Sequence, residues 1–243
     1  MVDYADKAID RGFLHDVFIA VPPHYDLINK LMTWGLDRRW RRRLARECLA
    51  SQPARVLDLC CGTGDLAITL ARLAKSNTEV TGIDYSRPML EKATQKAKKA
   101  GGKGKLSFVS GDIACIPFSE AHFDCIGTSF AFRNLSYKNP LAGRYISEVL
   151  RVLKPGGRFV IVETSQPKSN FIKKLYHLYL RYFVFWLGWL ISGNREAYQY
   201  LADSATNYYA PEELGRMLVK AGFQQVSFRR LLFGAVSIHV AVK

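Results

Sequence analysis

The chain has 243 residues, 49% apolar and 23% charged, which is an ordinary globular composition long enough for one substantial α/β domain with an insertion. Its five cysteines (Cys48, Cys60, Cys61, Cys115, Cys125) are odd in number and lack C-x-x-C spacing, which argues against a disulfide framework or zinc site and for a reducing cytoplasm. The net charge of +14 calls for an anionic partner, with nucleic acid, an acidic membrane surface and acidic substrates all open on composition alone.

Residues 1–11 are polar and mixed in charge, with no signal-peptide pattern. Residues 12–50 read as amphipathic helix, divided in two at Pro22-Pro23, and form an N-terminal lid segment (1–50) ahead of the main domain (51–243). Residues 38–46 hold six arginines, readable as a solvated helix face or as a contact for anionic lipid headgroups. Val56, Leu57 and Leu59 then form a short apolar strand that stops at Gly62-Thr63-Gly64, and a helical pattern begins at once. Glycines there let the backbone approach a ligand, and the free N–H groups of a helix start favour an anionic or hydroxyl-rich one. Asp84 ends a second strand twenty residues beyond Gly64, where a carboxylate can accept from two ribose hydroxyls. A nucleoside-containing cofactor across the strand ends follows from that pair of features.

Ser86 is placed to cap a helix running to Ala100, whose exposed side carries Lys92, Lys96, Lys98 and Lys99. Strands follow over 106–109 and 123–129, then a helix opened by Asn139-Pro140, a turn at 154–157 and a fifth strand over 158–163. This alternation predicts a parallel sheet wound on both faces. An insertion spans roughly 165–209, a further helix begins at Pro211, and two last strands (225–233, 235–242) are joined so tightly that they must be antiparallel. Such a hairpin disfavours a nicotinamide oxidoreductase.

With these residues in view the chain resembles the class I S-adenosylmethionine-dependent methyltransferases, and within them the family that C-methylates ubiquinone and menaquinone precursors. The general class is carried by Asp58-x-x-x-Gly62-Thr-Gly64, Asp84, Gly111-Asp112 and Lys154-Pro-Gly-Gly157. The narrower family is carried by Val17-Phe-x6-Tyr25-Asp-x2-Asn29, Met32-Thr-Trp-Gly35 through Trp40, Ser129-Phe-Ala-Phe-Arg133-Asn134, Glu163-x-Ser165-x-Pro167 and Gly234-x-Val-x-x-His239. Asp37 stands where the family tends to have histidine and Ala131 where it tends to have glycine, while Leu27 and Ile28 replace the usual pair; none touches the cofactor motif.

The resemblance implies a Rossmann-like sheet closed by a C-terminal antiparallel hairpin, and S-adenosylmethionine as cofactor. It implies cofactor contacts from Asp58, Gly62, Thr63 and Gly64, from Asp84 to the ribose, from Asp112 and Ile113 to the adenine, and from Ser129 near the methionyl group. No metal is expected. Cys60 and Cys61 read as packing residues under the turn, and His239 as structural. The implied substrate is a polyprenylated quinol, with demethylmenaquinol first, a ubiquinol precursor next and another lipidic ring after that; a silent scaffold of a quinone-synthesis complex is the non-enzyme reading. Arg133 is expected to stabilise the oxyanion of the ring, Tyr25 and Asn29 to hydrogen-bond from the lid, and water or another group to take the ring proton. Within the insertion the uncharged apolar run 182–191 is ten residues, against the roughly 20 needed to span a bilayer. It predicts a pocket helix or an interfacial helix, with Lys173, Lys174, Arg181, Trp186 and Trp189 favouring transient contact with an anionic membrane surface. No N-P-P-Y-type tetrapeptide follows the fourth strand, so nucleic acid is not the expected partner; a homodimer stays open.

Overall fold

The structure is a computed structural model that describes residues 25–101 and 105–243, apart from the side chain of Tyr25. The first expected N-terminal helix and the glycines of 102–104 lie outside the described residues. Where one helix is expected after Pro23 there are two, α1 (Tyr25–Met32) and α2 (Leu36–Leu49). Trp34 and Gly35 break them apart at φ 53° and 72°, and the Gly35 N–H donates to the Lys30 carbonyl at 2.8 Å. A glycine in the left-handed region closes a helix in this way at little steric cost, and apolar periodicity does not reveal it.

Seven strands make one sheet: β1 (Arg55–Leu59), β2 (Glu79–Asp84), β3 (Lys105–Ser110), β4 (Phe123–Ser129), β5 (Leu153–Thr164), β6 (Gln225–Leu231) and β7 (Val236–Val242). Their spatial order is β3-β2-β1-β4-β5-β7-β6. All neighbours are parallel except β7, which runs antiparallel to both β5 and β6. The expected hairpin is therefore present, and β7 is its inner strand. β5 begins earlier than expected, because Gly156 and Gly157 exchange backbone hydrogen bonds with Lys243 at the end of β7.

Alternation along the strands builds two core layers. Leu57, Leu59, Ile126 and Phe159 face α6 (Ala142–Val152) and α10 (Pro211–Lys220). Val56, Val80, Cys125 and Val160 face α2 and α3 (Asp65–Leu73). Helix α4 (Arg87–Ala100) follows β2, and the short α5 (Phe132–Ser136) follows β4. The insertion is helical: α7 (Asn170–Leu178) runs through a π turn at Tyr179–Val184 into α8 (Phe185–Ser192), and α9 (Arg195–Thr206) packs back on it. No helix among the described residues is long and apolar enough to cross a membrane.

Candidate active site

The ends of β1, β2 and β4 and the loop after β3 open onto a cavity of about 450 Å³. Gly62, Thr63, Asp84, Asp112, Ile113 and Ser129, six of the expected cofactor residues, line it. Asp84 is fixed by accepting from the Gly62 N–H at one oxygen and the Ser86 N–H at the other, each at 2.9 Å. Burial raises its carboxyl above the ordinary range, partly offset by those hydrogen bonds. Asp112 accepts from the Ala114 N–H at 2.8 Å and so holds the 3₁₀ turn Ile113–Cys115 that borders the cavity. Ser86 occupies the N-cap position of α4 without capping through its side chain; its Oγ is buried in the cavity wall with no partner among the described residues.

Two expected cofactor residues do not face the cavity. Asp58 lies beneath the turn, 1% exposed, and accepts from the Ala67 N–H at 2.8 Å, tying β1 to the start of α3. Burial pushes its carboxyl well up. Gly64 takes φ 79°, and a Cβ there would stand 2.9 Å from Ala93 Cβ and 3.0 Å from the Phe108 ring. Both residues therefore shape the turn by packing. Burial raises the thiols of Cys60 and Cys61, which fits packing residues and not nucleophiles.

Helix α1 is tied to the turn. The Thr63 hydroxyl donates to Asp26 at 2.7 Å, and Lys96 Nζ donates to Asp26 at 3.0 Å and to Thr63 at 3.1 Å, and also pairs with Asp65. Lys96 is accordingly held against the glycine turn and α1.

A second cavity, of about 460 Å³, lies between α1, α2, α5, the end of β5 and the insertion. Its walls are largely apolar or aromatic, including Met32, Trp40, Leu180 and Val184, and its polar groups include Asn29, Asp37, Arg133 and Glu163. Arg41, Phe130 and Asn134 line both cavities, so the two adjoin there. Arg133 is 6% exposed; its N–H donates to Glu163 at 3.0 Å, its Nη1 donates to Thr164 Oγ1 at 3.4 Å, and its Nε is buried without a partner among the described residues. Tyr200 donates to Asn134 Oδ1 at 3.1 Å. Burial raises the phenols of Tyr176 and Tyr200, against which the Arg133 charge works. Asn29 lies in this wall as expected, while the Tyr25 side chain lies outside the described residues. His239 is fully buried on β7 and donates from Nε2 to the Pro211 carbonyl at 2.9 Å, a structural bond.

Asp37 and Arg41 were not legible as site residues. Both are buried and paired with each other, and Arg41 Nε donates to Ser129 Oγ at 3.4 Å. Of the six arginines in 38–46, five are exposed, so Arg41 alone departs from the solvated-face or headgroup reading. The available signal was its place, with Asp37 one turn earlier, on the apolar stripe of Trp40, Leu44 and Cys48.

Residues 5–243 match the model of the ubiE/COQ5 methyltransferase family. A demethylmenaquinone methyltransferase of Thermus thermophilus is 40% identical over 224 residues, covering 92% of this chain and 98% of its own. A ubiquinone/menaquinone biosynthesis C-methyltransferase UbiE of Pseudomonas aeruginosa is 37% identical over 228 residues, covering 94% and 88%. In fold, a SAM-dependent methyltransferase of Aquifex aeolicus superposes with a TM-score of 0.54 at 21% identity, over 82% of this chain and 88% of its own. The sheet order with its antiparallel seventh strand, the two adjoining cavities and the full-length match together make this chain a member of the ubiE/COQ5 methyltransferase family.

Proposed function

We propose that the protein methylates the ring of a polyprenylated quinol, demethylmenaquinol before a ubiquinol precursor, with S-adenosylmethionine as the methyl donor. The observation that carries this reading is the junction of a polar-ended cavity with an apolar one at Arg41, Phe130 and Asn134. The first cavity fits the donor by its chemistry: Asp84 is a fixed acceptor for paired hydroxyls, Ser86 Oγ is a buried group lacking a partner among the described residues, and Gly62 has open space where a Cβ would stand. Gly62, Thr63, Asp84, Asp112, Ile113 and Ser129 would hold it, and Asp58 and Gly64 keep the turn in shape beneath. Bound there, S-adenosylmethionine supplies an electrophilic methyl carbon.

The chain's own residues do the rest. The apolar walls of the second cavity exclude water and orient a ring against the junction, which favours an in-line approach. Arg133 places a cationic donor, with a spare Nε–H, in that wall, where it stabilises a ring hydroxyl in its ionised form. An ionised hydroxyl makes the adjacent ring carbon nucleophilic. Asn29, and Tyr25 from the same helix, would position the ring's oxygens.

A prenyl tail would leave past Trp34, Leu175, Leu232 and Phe233, which line the cavity and are also exposed. Further out the insertion exposes Phe171, Tyr182, Trp186 and Leu190, while its Ile172, Tyr176 and Leu180 line the cavity. Apolar side chains outside the cavity, on an insertion that also exposes Lys174 and Arg181, support docking on an anionic membrane surface, to which the five exposed arginines of α2 add positive charge. The test is methyl transfer from labelled S-adenosylmethionine to short-chain demethylmenaquinol beside the ubiquinol precursor, each with and without chemical reduction. Turnover of reduced demethylmenaquinol is expected. Turnover of the ubiquinol precursor alone would change the substrate, and cofactor binding with no turnover of either would favour another lipidic ring or a silent scaffold.

A further inference from the structure

The reaction proposed above releases one proton from the ring carbon, and Arg133 cannot take it, since a guanidinium has no acceptor. Among the described residues two carboxylates line the apolar cavity. Glu163 accepts at Oε1 from the Thr164 N–H and hydroxyl and at Oε2 from the Arg133 N–H, all within 3.0 Å, and so already carries three hydrogen bonds. Asp37 accepts at Oδ1 from the Thr33 hydroxyl at 3.0 Å and at Oδ2 from Arg41. A carboxylate offers about four lone-pair sites, so Asp37 has room for a proton. It is 5% exposed and its partner Arg41 lines the junction of the cavities, which places it beside the reacting end of a bound ring and away from bulk water.

We infer that Asp37 is the proton acceptor of the methylation step. This rests on the reading that a quinol ring occupies the apolar cavity. The ionised ring hydroxyl becomes a carbonyl as the adjacent carbon's electron pair forms a bond to the donor's methyl carbon, whose bond to sulfur breaks with its electron pair left on a neutral thioether. That ring carbon now carries both methyl and hydrogen. Transfer of the hydrogen as a proton to Asp37 returns the C–H electron pair to the ring and restores the aromatic oxyanion. Rearomatisation drives the transfer, and the proton leaves to water when product departs. Arg41 and Thr33 hold the carboxylate in place.

The other ionisable groups of the wall are Arg41, Arg133, Glu163 and the phenols Tyr176, Tyr179, Tyr198 and Tyr200, with Asp65 behind Arg41 at 3.6 Å. Among the described residues none of these groups is a histidine, and a pH response near about 6.5 that appears in Asp37→His and is absent from the parent is attributable to that substitution. The experiment compares the full chain with Asp37→Asn and Asp37→His in single-turnover methylation of reduced demethylmenaquinol bearing hydrogen or deuterium at the methylated carbon. S-adenosylhomocysteine affinity is measured by calorimetry on the same samples. Asp37→Asn is expected to bind S-adenosylhomocysteine as the parent does, to slow turnover by about 10²–10⁴-fold and to show a primary isotope effect absent from the parent. Asp37→His is expected to recover turnover along an acidic limb near about pH 6.5. Turnover by Asp37→Asn within about tenfold of the parent without an isotope effect would overturn the inference, as would a parental pH profile in Asp37→His. Loss of S-adenosylhomocysteine affinity without an isotope effect would make Asp37 a positioning residue and overturn it too. No turnover by the parent would overturn the proposed function first, and this inference with it.

Discussion

Replacing Gly188 by alanine sets two effects of known size against each other in the wall of the apolar cavity. Gly188 lies in α8 against Tyr198 of α9, and a Cβ there would stand 2.0 Å from Cδ1 and 2.3 Å from Cγ of that ring. Carbon atoms rest about 3.5–4.0 Å apart, so the root of the ring must withdraw by at least about 1.5 Å. Tyr198 is 4% exposed and packs with Ile28 and Ala197 while lining the cavity, so it cannot yield without moving the wall. Alanine in a helix interior gains about 0.8–1 kcal/mol over glycine. Overpacking a dense site costs about 1–3 kcal/mol, and the upper half applies because the ring's root is displaced rather than its tip. The net expectation is a loss of about 1–2 kcal/mol, or a Tm lowered by about 2–8 °C in a chain of this length. Thermal unfolding followed by circular dichroism measures the first effect. Steady-state kinetics should show a raised KM for the quinol, with S-adenosylhomocysteine affinity unchanged because Tyr198 does not line that cavity. A raised Tm with an unchanged KM would show that helix propensity wins, and would refute the close packing of α8 on α9.

Arg133→Lys keeps the charge and removes the planar fork; kcat should fall by about 10²–10³-fold at unchanged S-adenosylhomocysteine affinity, and a kcat near the parent's would exclude Arg133 as the oxyanion donor. Burial lowers the pKa of His239, so its contribution to stability is present above its unfolded value of about 6.5 and is lost as pH falls below it. Urea unfolding at a pH above and one below that value should show this decline. His239→Gln should make it shallower without abolishing it, since His122 and His177 shift the same way; an unchanged slope would remove His239 from the account. For the membrane surface, the double substitution Trp186→Ser and Leu190→Ser should cut co-sedimentation with phosphatidylglycerol vesicles, and added salt should weaken what remains. Equal binding by parent and variant would place the contact elsewhere.

Much of the wall of the first cavity was legible because its determinants are neighbours in the chain. A strand, a glycine turn and a helix start occupy consecutive residues, and Asp84 and Asp112 each end an apolar run. The same locality makes the 225–242 hairpin readable, since so short a connection leaves no other pairing. Asp58 and Gly64 belong to the same motif but are not among the residues that line the cavity. Whether a motif residue faces the ligand or the core beneath depends on which helix packs there, and Ala67, Ala93 and Phe108 decide it.

The sequence by itself determined the order of elements, the glycine turn with its two acids, and the presence of an aromatic insertion whose uncharged apolar run is too short to span a bilayer. Only the tertiary structure separated Arg41 from the five exposed arginines around it, joined Asp26 to Thr63 and Lys96, and put one face of the insertion into a cavity and the other outside it. The reason is physical. Backbone geometry and apolar periodicity are set by residues within a turn or two of each other, whereas burial of a charge is set by the partners that distant segments bring to it.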